Sequence, residues 1–562
     1  MNIFQKEIIS TEKIKELEKK LVNKEYNDLE KLIETSNKNI LEHPAIKIIY
    51  ASSKSLKPNS TINEKRIAYN LFLEVYEKNL HFKQALYNAC TLSLQIKEYD
   101  KILILLEEFI KKNNYDKKVY EAIYKIYVTL GKIDKAIQHL EVIIKNEPTN
   151  LKVYSAYLFC LLYSEKYDQK DYIKHAFDFS KKIRIYNENE KKPLLIRDNN
   201  KIKIGFMTPH FDGNSIDGFL EDFLNNINKK TFELNAFNLN SSDEKSNHLK
   251  HLFDNWYHVK DLNDLELINF IREKEINILI DLVGHGPDNR LTIFKNRAAP
   301  IQISWLGYCN STGLKEMDYI IVDKFIVQDR EKNLFSENFL YAPEIWNTHK
   351  LMNEDLNISS PPYLKNEYFT FGSFNNFSKI SDKTVMVWSE ILKKTEGKLI
   401  LKSSSQSKIE LEKSIFNKFS KDLINNNQIE ILEGQRDKME HMKLYNKIDL
   451  CLDTFPYNGV TTSFEAIWMG IPVLCLTGNN FVSRCGESIN KNLGLSEFIA
   501  KDTNEYIEKA IYFSKKPNFL IELRKNLRIK AKNSGIFQSE RFAEHIGNKL
   551  KEFWQKKTDL KK

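Results

Sequence analysis

Several familiar signatures are absent from this sequence, and each absence excludes something. Six cysteines (Cys90, Cys160, Cys309, Cys451, Cys475 and Cys485) occur without a single C-x-x-C pair. That argues against a zinc site and a disulfide framework, and fits a reducing compartment. No stretch approaches the roughly eighteen uninterrupted apolar residues of a membrane span. The opening MNIFQKEIISTEKIKELEKK alternates charge without the apolar centre of a signal peptide. The expectation is a cytoplasmic protein with no membrane span. The net charge of +9 comes from 85 basic against 76 acidic residues. These are mixed along the chain, so they read as a solvated surface, and no nucleic-acid-binding motif accompanies them. At 562 residues, 42% hydrophobic and 29% charged, the chain can build two or three domains with real cores.

Glycine is almost missing before residue 195, and there the sequence reads as amphipathic helices. Tyr120, Ile123, Tyr127, Gly131, Ala136, Leu140 and Pro148 fall where a tetratricopeptide repeat of about 34 residues places its bulky, small and terminating positions. One repeat forward lies Tyr154 and one back Leu86; a degenerate unit starts near Tyr50, with Pro44 closing the one before. Ala136 and Gly131 are packing residues of such hairpins. The concave face of stacked hairpins commonly holds an extended peptide or another protein.

Beyond the segment NENEKKPLLIRDNNK, strands and helices alternate. IKIGFMT, NILIDLVG, YFTFGSF, KLILKS, IEILEG, IDLCLDT and PVLCL read as strands, and KTVMVWSEILKK and KMEHMKLYNK as helices. This is the pattern of two doubly wound α/β domains, whose ligands sit beyond the carboxyl ends of parallel strands. In DTFPYNGVTTSFEAIWMGIPVLCL a buried strand leads through a turn into a helix that opens on Thr461 and Thr462. Backbone N–H groups and the positive helix end there suit an anion, and the hydroxyls add donors. Thr462-x-x-Glu465 equally fits a capping box that needs no ligand.

That stretch, together with DLVGHGPDNRLTIFKNRAAPIQISWLGYCNSTG (281–313), FGSFNNFSKISDKT (371–384) and KMEHM (438–442), resembles the O-linked N-acetylglucosamine transferase/SPINDLY family of glycosyltransferases. The resemblance covers about residues 200–535, with tetratricopeptide repeats ahead of it as in that family. It implies an α-solenoid followed by a glycosyltransferase B fold of two Rossmann-like domains. The expected layout is repeats over 1–190, an acceptor-side lobe over 200–350, a nucleotide-sugar lobe over 366–537 and a C-terminal helix over 538–562. The implied activity is inverting transfer from a nucleotide sugar, usually UDP-N-acetylglucosamine, to protein Ser or Thr. The partners are then a nucleotide sugar and, through the repeats, an acceptor protein, with no nucleic acid and no cofactor beyond the donor. An Asp-x-Asp metal signature does not occur in the sequence, so a cation and a helix end are expected to replace the metal at the departing diphosphate.

Residue by residue, the resemblance gives Lys379 the role of stabilising the diphosphate and His441 that of stacking on the base. Lys438 contacts the nucleotide, Thr461 and Thr462 the phosphates, and Glu465 the ribose hydroxyls. Asn376, where many members carry glutamine, offers an amide to phosphate or sugar. The sequence also departs from the family. Val460 replaces a histidine or glycine, and Asn214 stands where a histidine is proposed as acceptor-side base, a role asparagine cannot fill. His285, leaving a buried strand toward the cleft, is the next candidate base. Asp281, His210 and the sugar-phosphate itself are alternatives. Glu487 replaces a small residue and, near Arg484, could read a sugar hydroxyl or pair internally. Two other readings stay open: the same fold with another donor or acceptor (GDP-fucose or UDP-glucose; an Asn side chain or a glycan), and a repeat-based interaction protein with an inactive transferase domain.

Overall fold

The structure, a computed structural model, describes residues 11–36, 38–197, 200–211, 216–240, 246–402, 415–419, 426–435 and 437–560. The chain divides into two units, the first ending at Thr129 and the second beginning at Leu130.

The first unit is helical. Its helices are α1 (Thr11–Val22), α2 (Tyr26–Glu34), α3 (Pro44–Leu56), α4 (Ile62–Lys78), α5 (Lys83–Ile96), α6 (Asp100–Lys112) and α7 (Lys117–Thr129). Local chemistry marks the ends. Pro44 sits at the start of α3, and Thr61 caps α4 in a reciprocal box with Glu64. Leu17, Leu29, Ile33, Ile46 and Ile49 form one apolar cluster beneath α1 to α3. Farther on, Leu86, Ile123 and Tyr127 are buried at repeat positions.

In the second unit the helical pairs continue as α8 (Ile133–Asn146), α9 (Leu151–Leu161) and α10 (Gln169–Lys182). Two parallel sheets follow. The first holds β1 (Ile202–Thr208), β2 (Phe232–Asn238), β3 (Asn255–His258), β4 (Ile278–Asp281), β5 (Ile301–Ser304), β6 (Tyr319–Val322) and β7 (Asn338–Tyr341) in the order β3-β2-β1-β4-β5-β6-β7. The second holds β8 (Thr370–Ser373), β9 (Lys398–Lys402), β10 (Ile429–Leu432), β11 (Leu450–Leu452), β12 (Val473–Leu476) and β13 (Ile499–Ala500) in the order β10-β9-β8-β11-β12-β13. Strands such as β4, β5 and β8 are buried at every position, as parallel strands covered on both faces must be. In each sheet the order reverses once, beside β1 and β4 in the first and beside β8 and β11 in the second. These are the switch points where a crevice opens.

The terminal helix, Ser539–Asp559, follows the second sheet in sequence yet packs on the first lobe. Phe553 stacks on Tyr319 with centroids 4.1 Å apart, and Phe542 lies against Trp305 at 5.8 Å. Among the described residues no helix is long and apolar enough to cross a membrane.

The last helical pair belongs with the sheets. Tyr172 Oη donates to Ser311 O at 2.7 Å and pairs with Tyr308 Oη at 2.8 Å. Gln169 and Asn310 exchange amide bonds of 2.7 and 3.0 Å. Gly313, at φ +75°, lets α10 approach closely: a Cβ there would lie 2.5 Å from the Ala176 carbonyl. The last helical pair, read from sequence as the end of the repeats, thus packs on the first lobe, and the second unit begins at Leu130.

Candidate functional site

A cavity of about 300 Å³ opens where the loops at the carboxyl ends of the two sheets face each other. From the first lobe it receives Ile216 and Phe219 after β1, Leu306, Gly307 and Cys309 after β5, and Trp346 and Asn347 beyond β7. From the second it receives Asn375, Asn376 and Lys379 after β8, and Tyr457, Val460, Thr461 and Thr462 after β11. The second group comes from the two strands flanking that sheet's switch point.

Lys379 ends a single 3-10 turn, Phe377–Lys379, whose first amide donor is held by Asn376: Ser378 N donates to Asn376 Oδ1 at 3.2 Å. The half-buried Lys379 ammonium donates to Asn458 O at 2.9 Å and lies 4.4 Å from the centre of the Tyr457 ring. Burial lowers its pKa, and the charge of Asp453 partly restores it. Asp453 is 1% exposed. Its Oδ1 accepts from Gly459 N at 2.7 Å, Thr454 N at 2.9 Å and Asn375 Nδ2 at 3.1 Å. Its Oδ2 is buried with no hydrogen-bond partner among the described residues. Burial pushes this carboxyl up to about 7, against the pull of its amide donors and Lys379. Asn375 passes the order on. With its amide nitrogen turned to Asp453, its oxygen accepts from Thr462 Oγ1 at 3.0 Å. Gly459 makes room for this knot, since a Cβ there would come within 2.6 Å of Thr462 Oγ1 and 2.9 Å of Asn375 Oδ1.

Thr461 and Thr462 open the helix Thr461–Trp468, and its N-cap, Val460, supplies no side-chain bond. The capping box open to Thr462 and Glu465 is not formed. Glu465 turns instead to a second polar cluster, in which its Oε2 accepts from Tyr445 Oη at 3.0 Å and meets His441 Nε2 at 3.0 Å. The other His441 nitrogen, Nδ1, faces Lys402 Nζ at 2.9 Å. An ammonium can only donate, so Nδ1 accepts and Nε2 carries the proton given to Glu465. Burial alone would raise the Glu465 pKa, but its bonds to His441 and Tyr445 and the charge of Lys402 hold it below the usual carboxylate range. Lys438 begins the short helix Lys438–Lys443 and is exposed.

The first-lobe candidates lie elsewhere. His285 is 1% exposed, with Nδ1 3.1 Å from Ser155 Oγ and Nε2 2.9 Å from Thr312 O. The ring packs edge-on to Phe179 at 4.7 Å and Tyr308 at 5.2 Å. Burial lowers its pKa to about 4. It does not line the cavity but sits beneath the last helical pair, so the expectation that it leaves β4 into the cleft as a base is corrected. Asp281 is likewise buried, accepts from Gly284 N at 2.8 Å and Val283 N at 3.1 Å, and is pushed by burial to about 7. His210, in the loop after β1, donates its backbone N–H to Thr208 Oγ1 at 3.0 Å. Asn214 lies outside the described residues. Arg484 does not reach the cavity; it makes a forked ion pair with Glu331 of the first lobe, at 2.7 and 2.8 Å, and so ties the lobes together. Glu487 pairs internally with Thr477 Oγ1.

Asn375, Asp453, Tyr457, Lys402 and Tyr445 were not singled out from the sequence. Asp453 and Tyr457 stand in the stretch that drew attention to the threonines, and the position of Asp453 at the end of a buried strand was the available signal. Lys402, closing the apolar run KLIL, carried a similar one.

The profile of glycosyl transferase family 41 matches residues 134–360 and 358–546. A Petunia hybrida protein named probable UDP-N-acetylglucosamine--peptide N-acetylglucosaminyltransferase SPINDLY is 27% identical over 407 residues, covering 70% of this chain and 43% of its own length. The Arabidopsis thaliana protein of the same description named SEC is 24% identical over 365 residues, 63% of this chain and 37% of its own. The chain therefore spans less than half the length of these relatives. A solved mutant of the Thermobaculum terrenum O-GlcNAc transferase superposes with a TM-score of 0.80 at 22% identity, covering 92% of this chain and 99% of that one. It shares the fold of helical repeats followed by two Rossmann-like lobes. With its family profile matched from the last helical pairs through both lobes, the chain belongs to glycosyl transferase family 41.

Proposed function

We propose that the chain transfers N-acetylglucosamine from UDP-N-acetylglucosamine to a serine or threonine of an acceptor protein, with inversion and without a metal ion. The observation that carries this reading is Lys379: an ammonium, half-buried at a switch point, beside the first turn of a helix that opens with two threonines. The names of the relatives support the donor and acceptor classes.

On this reading the donor diphosphate lies between Lys379 and the Thr461–Thr462 turn. Lys379 exchanges its bond to the Asn458 carbonyl for a phosphate oxygen, so the charge it meets grows as the sugar–oxygen bond breaks. Thr462 turns its hydroxyl from Asn375 to the anion, and Asn376 offers its amide from the cavity rim. Glu465 takes the ribose hydroxyls and His441 the base, with Lys438 at the outer edge. The acceptor hydroxyl attacks the face opposite the departing diphosphate, which inverts the anomeric carbon. Its proton does not go to His285, because both ring nitrogens are engaged under the helical pair. The donor's own phosphate oxygens and His210, half-buried in the loop after β1, are the acceptors this scheme retains. The repeats hold the acceptor protein.

The test is to incubate the full chain with a candidate acceptor protein and, separately, UDP-N-acetylglucosamine, UDP-glucose and GDP-fucose, reading acceptor mass and nucleotide release. An acceptor gain of one N-acetylhexosamine with the first donor supports the reading. A hexose or deoxyhexose gain instead replaces the donor, and no nucleotide release from any of the three rejects it.

A further inference from the structure

The lysine at the centre of this site is held partly by a residue of the helical repeats. Its ammonium rests over Tyr457, and the Tyr457 ring packs in turn on Tyr163 with centroids 4.4 Å apart and planes inclined by 34°. Tyr163 follows α9 in the last helical pair. Phe159, on the same helix, extends the aromatic row, lying 5.6 Å from Tyr163, 6.5 Å from Tyr457 and 5.8 Å from Tyr308 of the first lobe. The Tyr163 hydroxyl also interacts with the side chain of Ser378, the neighbour of Lys379. The preceding helical turn presses on the same loop: a Cβ on Gly131 would meet the carbonyl oxygens of Phe377 and Ile380, each at 3.1 Å. Glu165 pairs with Lys383 on the surface beyond it.

We propose that Tyr163 is a positioning residue for Lys379, so that the last repeat forms one wall of the donor site. A lysine side chain has four rotatable carbons and no geometry of its own, and its value as a charge stabiliser depends on being held in place before the charge arrives. Among the described residues the Lys379 ammonium is held by the Asn458 carbonyl and the Tyr457 ring. The carbonyl bond is given up when an anion binds. The ring then remains, and it keeps its tilt only while Tyr163 and Phe159 fill the space beside it. Whatever shifts the last helical pair shifts the lysine, which couples the region that would hold acceptor to the phosphates of the donor.

This inference rests on the proposed role of Lys379 against the donor diphosphate, and the experiment separates the two. Dissociation constants for UDP and UMP are measured by calorimetry on the full chain and on Lys379→Met, Tyr163→Leu, Tyr163→Phe and Glu165→Ala. A chain that binds GDP in place of UDP is read with GDP and GMP. Lys379→Met is expected to weaken UDP by at least about tenfold while UMP changes by less than about twofold. Tyr163→Leu is expected to weaken UDP by about fivefold with UMP again nearly unchanged, since only the distal phosphate needs the lysine. Tyr163→Phe keeps the ring and gives up only the bond to Ser378, so it should recover most of the UDP affinity that Tyr163→Leu loses, while Glu165→Ala leaves the ring untouched and should bind like the wild type. Equal weakening of UDP and UMP by Tyr163→Leu marks a merely structural role and overturns the proposal. So does unchanged UDP binding by Tyr163→Leu when Lys379→Met loses it. If Lys379→Met itself binds UDP normally, the reading of the lysine falls. Should Tyr163→Leu not fold, Tyr163→Met is held to the same criteria.

Discussion

Asp453 is fully buried and Lys379 half-buried, and burial acts on the two with opposite results. Burial pushes the carboxyl up to about 7 and the ammonium down, and each charge draws the other back toward its ionised form. The pair is therefore responsive, because an anion arriving at Lys379 favours the protonated carboxyl and the charged amine together. His285 is the contrasting case, a histidine used for packing. Its pKa falls from 6.5 to about 4, so between those values the folded chain binds fewer protons at this ring than the unfolded chain does. The stability contributed by its neutral form is present above pH 6.5 and is lost as pH falls through 4. The corresponding energy is about 3 kcal/mol at most. Urea unfolding of wild type and His285→Gln at about pH 7 and about pH 4.5 should show the wild-type advantage shrinking by about 2 kcal/mol on acidification. A difference that does not move with pH would mean that the ring takes up its proton as readily in the folded chain as in the unfolded one.

At the scale of elements, the segment after β5 works in two directions. Leu306, Gly307 and Cys309 line the cavity, while Tyr308, Asn310, Ser311 and Gly313 receive α10. Gly313→Ala adds a methyl at a left-handed φ and against the Ala176 carbonyl, so it should cost about 2–4 kcal/mol. A fall in the thermal midpoint of the second unit would register this, and an unchanged midpoint would show that α10 can slide away without loss. This double use explains what could be read in advance. Strands such as β1, β4, β8 and β11 were legible because burial on both faces demands apolar runs; NWYH and NFLY at the far positions of the first sheet have polar residues and were not. Thr461 and Thr462 drew attention because they open a helix directly after a strand, whereas Lys379 and His441 were singled out only through the family resemblance. Which way His285 faced was not legible, since a sequence does not say whether a loop turns toward a cavity or toward a helix arriving from another segment. Nor could it reveal that Asn375 pairs with Asp453 across 78 residues, or that Glu465 joins His441 rather than capping its own helix.

For the whole molecule, the change in composition near residue 195 marks where strands begin, while the second unit begins at Leu130. A chain beginning at Leu130 should bind UDP within about threefold of the full-length affinity. One beginning at Asn187 strips Ser155, Tyr163, Gln169 and Tyr172 from beneath His285, Tyr457, Asn310 and Tyr308, and should misfold or lose at least about tenfold in affinity, equivalent to ~1.4 kcal/mol. Calorimetry with near-UV circular dichroism decides between them, and full affinity in the shorter chain would show that the last helical pair is dispensable. The proposed chemistry itself stands on one charge. Release of UDP from UDP-N-acetylglucosamine is to be measured for wild type and Lys379→Ala, each in excess EDTA. Wild-type turnover should be unaffected by the chelator, and the variant, with its near-UV spectrum intact, should be slower by at least about 100-fold, the ~3 kcal/mol of a preorganised charge stabiliser. Near-normal turnover by Lys379→Ala, or wild-type activity that vanishes with EDTA and returns with magnesium or manganese, would contradict it.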